Sequence, residues 1–260
     1  MAAERQDQPK RPTRFTLVAE LRSIWLNTIK LSLRKFNYLS TEIADATWRR
    51  FLLTILTTLV VASGLYHLAL GLSYQGAYEK QLRIQFNLAG YWIVETLWSV
   101  GSAALIDIPI ILLVAYLTYH WLSHTREEKT LWIHEAHMLA ITWALSAICI
   151  QAIFLLEGAT REAVFRNMNI ISRALQEHRY SPIFSYVFSG LLTAPIIAYR
   201  YNLRLHGNKI LNGIQGRQRW MLLAFQFIML EGGILLVSKL VLNLPVMIDL
   251  HQTLSRVWLP

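Results

Sequence analysis

Between Trp98 and Glu157 the chain writes two long apolar runs, WSVGSAALIDIPIILLVAYLTYHW and LWIHEAHMLAITWALSAICIQAIFLLE, joined by the polar turn LSHTREEKT. Each run supplies at least about 20 residues, which at about 1.5 Å per residue reaches across a hydrocarbon layer of about 30 Å. Inside that layer a backbone must satisfy its own polar groups, and a helix does so within one segment. An antiparallel pair of membrane-spanning helices is therefore what these residues demand. Composition agrees, because 54% of the residues are hydrophobic and only 16% charged, whereas a soluble domain carries roughly 25% charged residues. The expected fold is an all-α polytopic transmembrane bundle with an amphipathic amino-terminal helix.

Five spans are expected, over residues 51–72, 96–122, 131–156, 181–201 and 220–244. Trp48, Arg49 and Arg50 mark the interface before the first. Ser40 and Thr41, followed by Glu42 and Asp45, have the chemistry of a helix start. Pro109 and Pro195 predict kinks in the second and fourth spans, because proline has no amide hydrogen to donate. Val164, Met168, Ile171 and Leu175 predict a short interfacial helix between the third and fourth. Residues 1–13 read as a disordered basic tail, 14–47 as a cytoplasmic amphipathic interfacial helix and connector, and 48–260 as the transmembrane domain. No cleaved signal peptide is expected at the amino terminus. The lone Cys149 allows no intramolecular disulfide and reads as a small buried hydrophobe.

The stretch from Arg14 to Leu39 repeats Val18, Leu21, Trp25, Ile29, Leu33 and Phe36 at helical spacing, with Arg22, Lys30, Arg34 and Lys35 between them. Together with Arg49 and Arg50, these bases fit the anionic headgroups of an inner leaflet. The same helix could instead dock on the protein's own inner face or on a partner. Of the 25 Lys and Arg, ten precede the first span, two lie in the second connection and five fall around the fourth-to-fifth connection. This asymmetry places the amino terminus in the cytoplasm and, with five spans, the carboxyl terminus on the opposite side. A bacterial inner membrane is favoured over a eukaryotic endomembrane. Basic inner segments account for the net charge of +9 without nucleic acid.

Three intramembrane charges stand out: Asp107 in the second span, and Glu231 and Lys239 in the fifth. Charged groups at such depth are costly and mark either helix-clamping contacts or a path for ions. His120 and His124 at i, i+4 face the next helix's His134 and His137 at i, i+3, a spacing that could offer imidazoles to a metal. Interfacial histidines bonded to lipid phosphates and carboxylates are the favoured reading, and no cofactor is expected. No GxSxG, HExxH or Walker loop occurs, and no serine or cysteine nucleophile with a partnered base can be nominated.

In the order of its parts the chain resembles the Yip family of Rab-interacting integral membrane proteins. The matching pieces are Arg14 to Leu39, Trp48-Arg49-Arg50, the run IHEAHMLAITWALSA leading into the third span, and LRLHGNKILNGIQG after the fourth. The likeness is one of layout. It implies a non-enzymatic organising or trafficking factor. The expected function is a non-catalytic scaffold or assembly subunit, with the anionic inner leaflet and other membrane subunits or a second copy as partners. The alternatives are a transporter or channel-like protein using Asp107 and Glu231, and a histidine-dependent membrane metalloenzyme.

Overall fold

The computed structural model describes residues 16–32, 37–77, 85–122, 131–166 and 181–258. These form α1 (Thr16–Ser32), α2 (Asn37–Ala44), α3 (Trp48–Ala77), α4 (Leu88–Trp121), α5 (Trp132–Arg166), α6 (Ser181–Asn212), α7 (Gly216–Leu242) and α8 (Pro245–Trp258), with no strand among the described residues. Four segments are long and apolar enough to cross a membrane: Trp48–Leu72, Leu88–Trp121, Trp132–Leu156 and Gly216–Leu242. The protein is thus an all-helical membrane bundle.

Helix starts follow local capping chemistry. Thr47 Oγ1 accepts from the Arg50 amide at 3.2 Å and opens α3, while Asn87 Oδ1 accepts from the Gly90 amide at 3.0 Å and opens α4. Ser40 and Thr41 do not start a helix. They lie inside α2, where the Ser40 hydroxyl donates to the Asn37 carbonyl. Both α4 and α6 run on through Pro109 and Pro195 without a break. Near the middle of α7 the residues Ile228–Gly232 form a π-helical turn that includes Glu231. Such a turn adds a residue and re-aims the side chains around it. Pro245 then opens α8, a position where its missing amide hydrogen costs nothing.

Helix α3 packs on α4 and α5, and α5 packs in turn on α6. Helix α7 lies against α4, whose opposite end also receives α8. Phe51, Ile55, Ile111, Met138, Leu139 and Leu203 fill the centre. The outer surface is apolar, with Leu105 and Leu191 each 70% exposed. That surface would be a liability in water and is matched by hydrocarbon.

The amino-terminal segment docks on one end of the bundle, with α1 against α2, α3 and α5. Its buried stripe is Ile24, Thr28 and Leu31, whereas Val18 and Ile29 of the expected apolar face stay exposed. Helix α1 carries two apolar stripes, and the one beside Asn27, whose amide reaches Glu42 of α2, is the one that packs. Leu33 and Phe36 lie outside the described residues, as do Met168, Ile171 and Leu175 of the expected interfacial helix. Helix α5 runs straight through Val164 to Arg166.

Candidate functional site

One stripe of α6 carries Arg200, Arg204, Asn208 and Asn212, spaced by four residues and so stacked on one face. All four are buried, Arg204 completely. The Asn212 amide donates to Glu135 of α5 at 2.6 Å. Asn208 and Gln226 of α7 exchange a pair of amide hydrogen bonds at 3.0 and 3.2 Å. Arg204 donates through Nε to Thr142 of α5 at 3.1 Å and through Nη2 to Glu231 at 3.4 Å. Arg200 donates to the same Glu231 oxygen.

Four successive turns of α6 thereby tie α5 to α7. A Cβ on Gly207 would stand 2.6 Å from Met138 Cγ, so the two helices approach closely beside these contacts. By sequence, Arg200 and Arg204 count among the five bases around the fourth-to-fifth connection, an inner segment without an acid of its own. The structure corrects this: α6 continues to Asn212 and Glu231 supplies the missing acid. The four-residue period of Arg, Arg, Asn and Asn was the signal that could have revealed the stripe.

Asp107 is 7% exposed on α4, the helix that packs on the π-helical turn holding Glu231. Among the described residues no hydrogen bond or ion pair reaches Asp107. Lys239 is exposed and makes no ion pair among the described residues, because two α6 arginines already occupy Glu231.

A second cluster centres on Glu42 of α2, 2% exposed. Its carboxylate accepts from Asn27 of α1, from Arg50 of α3 at 2.6 Å and from His137 of α5 at 3.4 Å. Burial opposes its charge, but the hydrogen bonds from His137 and Asn27 and the Arg50 charge outweigh burial and hold the carboxyl below its ordinary value of 4.5. Arg50 also reaches Ser23 at 3.2 Å and Asp45 at 3.6 Å.

The expected lipid-facing bases divide accordingly. Arg50 is spent inside the protein, and Arg49 pairs with Glu20 at 3.0 Å. Arg22 and Lys30 line a groove of about 510 Å³ along α1 with Val18 and Leu26, and Lys30 also lies over the Tyr38 ring. Arg34 and Lys35 fall outside the described residues.

Of the four histidines named near the turn, the three that are described make separate contacts. His120 is exposed and lies tilted against Tyr116 with ring centroids 4.3 Å apart. His134 meets the Leu131 amide at 2.9 Å. His137 is buried against Glu42, and His124 lies outside the described residues. Among the described residues no three metal-ligating side chains gather.

At the opposite end of the bundle, His67 of α3 meets Ser99 of α4 at 2.6 Å, and Glu95 pairs with His251 of α8 at 3.0 Å. Ser99 sits within α4, so the amides around it are spent on the helix and cannot form an oxyanion site. Compared with known proteins, the chain matches no family, no characterised protein and no solved structure.

Proposed function

We propose that the protein is a non-catalytic membrane scaffold or assembly subunit, a five-span bundle with α6 as the fourth span and its amino terminus in the cytoplasm. The observation that carries this reading is how its buried polar groups are used. The side-chain hydrogen bonds of the α6 stripe and the Glu42 cluster run from one helix to another of the same chain, as interhelical glue does. A path for ions would need water beside these groups. Instead Arg204, Asn208, Asn212 and Gln226 are fully buried, amides do not titrate, and an arginine on the path repels cations. The Yip-like layout supports the same reading, with the docked α1–α2 segment as the surface offered to partners at the inner face.

The test is purification of the full-length protein from native membranes under mild detergent, with metal analysis and ion-flux measurements on the same preparation. Stoichiometric membrane-protein partners without flux are expected. Stoichiometric iron or zinc, or flux abolished by Asp107→Asn, would replace this reading with an enzyme or a transporter.

A further inference from the structure

Independently of the scaffold reading, we propose that α8 is an in-plane membrane helix, with one face in the phospholipid leaflet at the carboxyl-terminal side of the bundle and one edge fastened to α4. Val246, Leu250 and Leu254 are spaced by four residues and so share a face of α8. All three are exposed, Val246 by 74% and Leu250 by 48%. Asp249, Gln252 and Thr253 turn away from that face and are exposed as well. Ile248 stands with them, as single exposed apolar residues commonly do. Met247 and His251, along the edge toward α4, are half-buried.

Two attachments set the depth of α8. The apolar span of α7 ends at Leu242, and only Asn243 and Leu244 separate it from Pro245, so α8 begins where the chain leaves the hydrocarbon. Further along, His251 meets Glu95 at 3.0 Å and lies against the Trp98 ring with centroids 5.0 Å apart. Helix α4 has 34 residues, more than the roughly 20 a hydrocarbon layer needs, and Glu95 and Trp98 lie toward its outlying start. Tryptophan is at home at headgroup level. Both attachments therefore hold α8 at the membrane boundary. Its 14 residues reach about 21 Å, short of a layer of about 30 Å, and the polar side chains Asp249 and Gln252 need water, so α8 lies along the surface and does not cross.

The occupant of the exposed face is lipid. Leu240 and Leu242, in the last turn of α7, are exposed to the same leaflet, and that leaflet continues beneath α8, so acyl chains cover Val246, Leu250 and Leu254 without a second protein. Between Pro245 and Leu254 the one carboxylate is Asp249, and no Lys or Arg occurs. Attraction to anionic headgroups therefore contributes nothing, and burial of the apolar face drives the contact. The Glu95–His251 pair fixes the rotation of α8 about its own axis, which keeps that face turned to lipid.

The experiment is spin-label accessibility of the full-length protein in phosphatidylcholine nanodiscs. In a Cys149→Ala background, a nitroxide is attached in turn through Leu250→Cys, Leu254→Cys and Gln252→Cys. Collision with oxygen, which concentrates in hydrocarbon, divided by collision with a water-soluble nickel chelate, should be severalfold higher at Leu250 and Leu254 than at Gln252. All three positions are exposed; where a variant nonetheless fails to fold, Val246→Cys takes its place on the apolar face or Asp249→Cys on the polar one. If the background itself fails, the same variants are labelled with Cys149 retained and the signal of the labelled parent chain is subtracted. Equal ratios on the two faces would put the helix in water and overturn the proposal. Labels on the apolar face shielded from both reagents would overturn it too, because they would mark a covering protein or a second copy.

Discussion

Among the described residues Glu42 is the side chain on which the most helices converge, while Glu231 holds two arginines of α6. Glu42 joins α1, α2, α3 and α5 through a single carboxylate. Removing one partner of a buried charge cluster strands the others, at a cost of about 3 kcal/mol or more. Glu42→Gln should therefore speed amide hydrogen exchange across α1 and α2 while the rest of the bundle stays protected. Because the folded carboxyl titrates below 4.5, its stabilising contribution is complete above that value and is lost as pH falls through the lower folded value. The difference in α1–α2 protection factor between the wild type and Glu42→Gln should accordingly be constant from neutral pH down to about 4.5 and shrink only beneath it. At Glu231 the corresponding measurement is a double-mutant cycle. Arg204→Met and Glu231→Gln together should cost at least about 1 kcal/mol less than the sum of the two. Additivity within about 0.5 kcal/mol, read from unfolding in detergent, would mean that the contact carries no energy.

Among the elements, α6 is the one whose register matters most, because four of its turns must meet partners on two other helices. Gly207 sits between the Arg204 and Asn208 contacts, against Met138. Gly207→Ala should cost about 1 to 3 kcal/mol by overpacking, and Met138→Ala in the same chain should restore part of it. Gly207→Leu should force α5 and α6 apart and abolish the folded state; a normal melting temperature for that variant would mean the helices do not approach as described. Helix α1 makes the opposite case, with one stripe packed and Val18, Arg22, Leu26 and Ile29 left facing outward. That mixed apolar and basic surface suits an anionic leaflet. In nanodiscs, the stabilisation by anionic over neutral lipid should shrink in Arg22→Glu/Lys30→Glu by about 1 kcal/mol per residue and fade with salt. Equal behaviour in both lipids would sink it.

For the molecule as a whole, the expectation to test is orientation. An alkaline phosphatase fused after α8 should be active and one inserted at Gly213, in the turn between α6 and α7, inactive. The reverse pattern would place the docked α1–α2 segment on the other side of the membrane. Gly213 suits an insertion because it is exposed and has a backbone φ of 62°, the left-handed geometry of a helix end, whereas five residues earlier Asn208 is already buried against Gln226.

The apolar runs determine by themselves that the chain forms membrane-crossing helices, since hydrocarbon thickness sets a length that residues 51–72, 96–122 and 131–156 meet without reference to anything else in the chain. Depth along a helix is equally local, which is why Asp107 and Glu231 can be assigned to the interior of their spans before any packing is known. Azimuth is not local. Which stripe of α1 docks, whether Arg200 and Arg204 face water or Glu231, and which helices His137 joins all depend on neighbours brought in from elsewhere in the chain. In α7, the π turn also shifts the helical phase by an amount that no periodicity count contains. The tertiary structure decided those points because a buried charge is stable only beside its counter-charge, and that pairing exists only after the helices have packed.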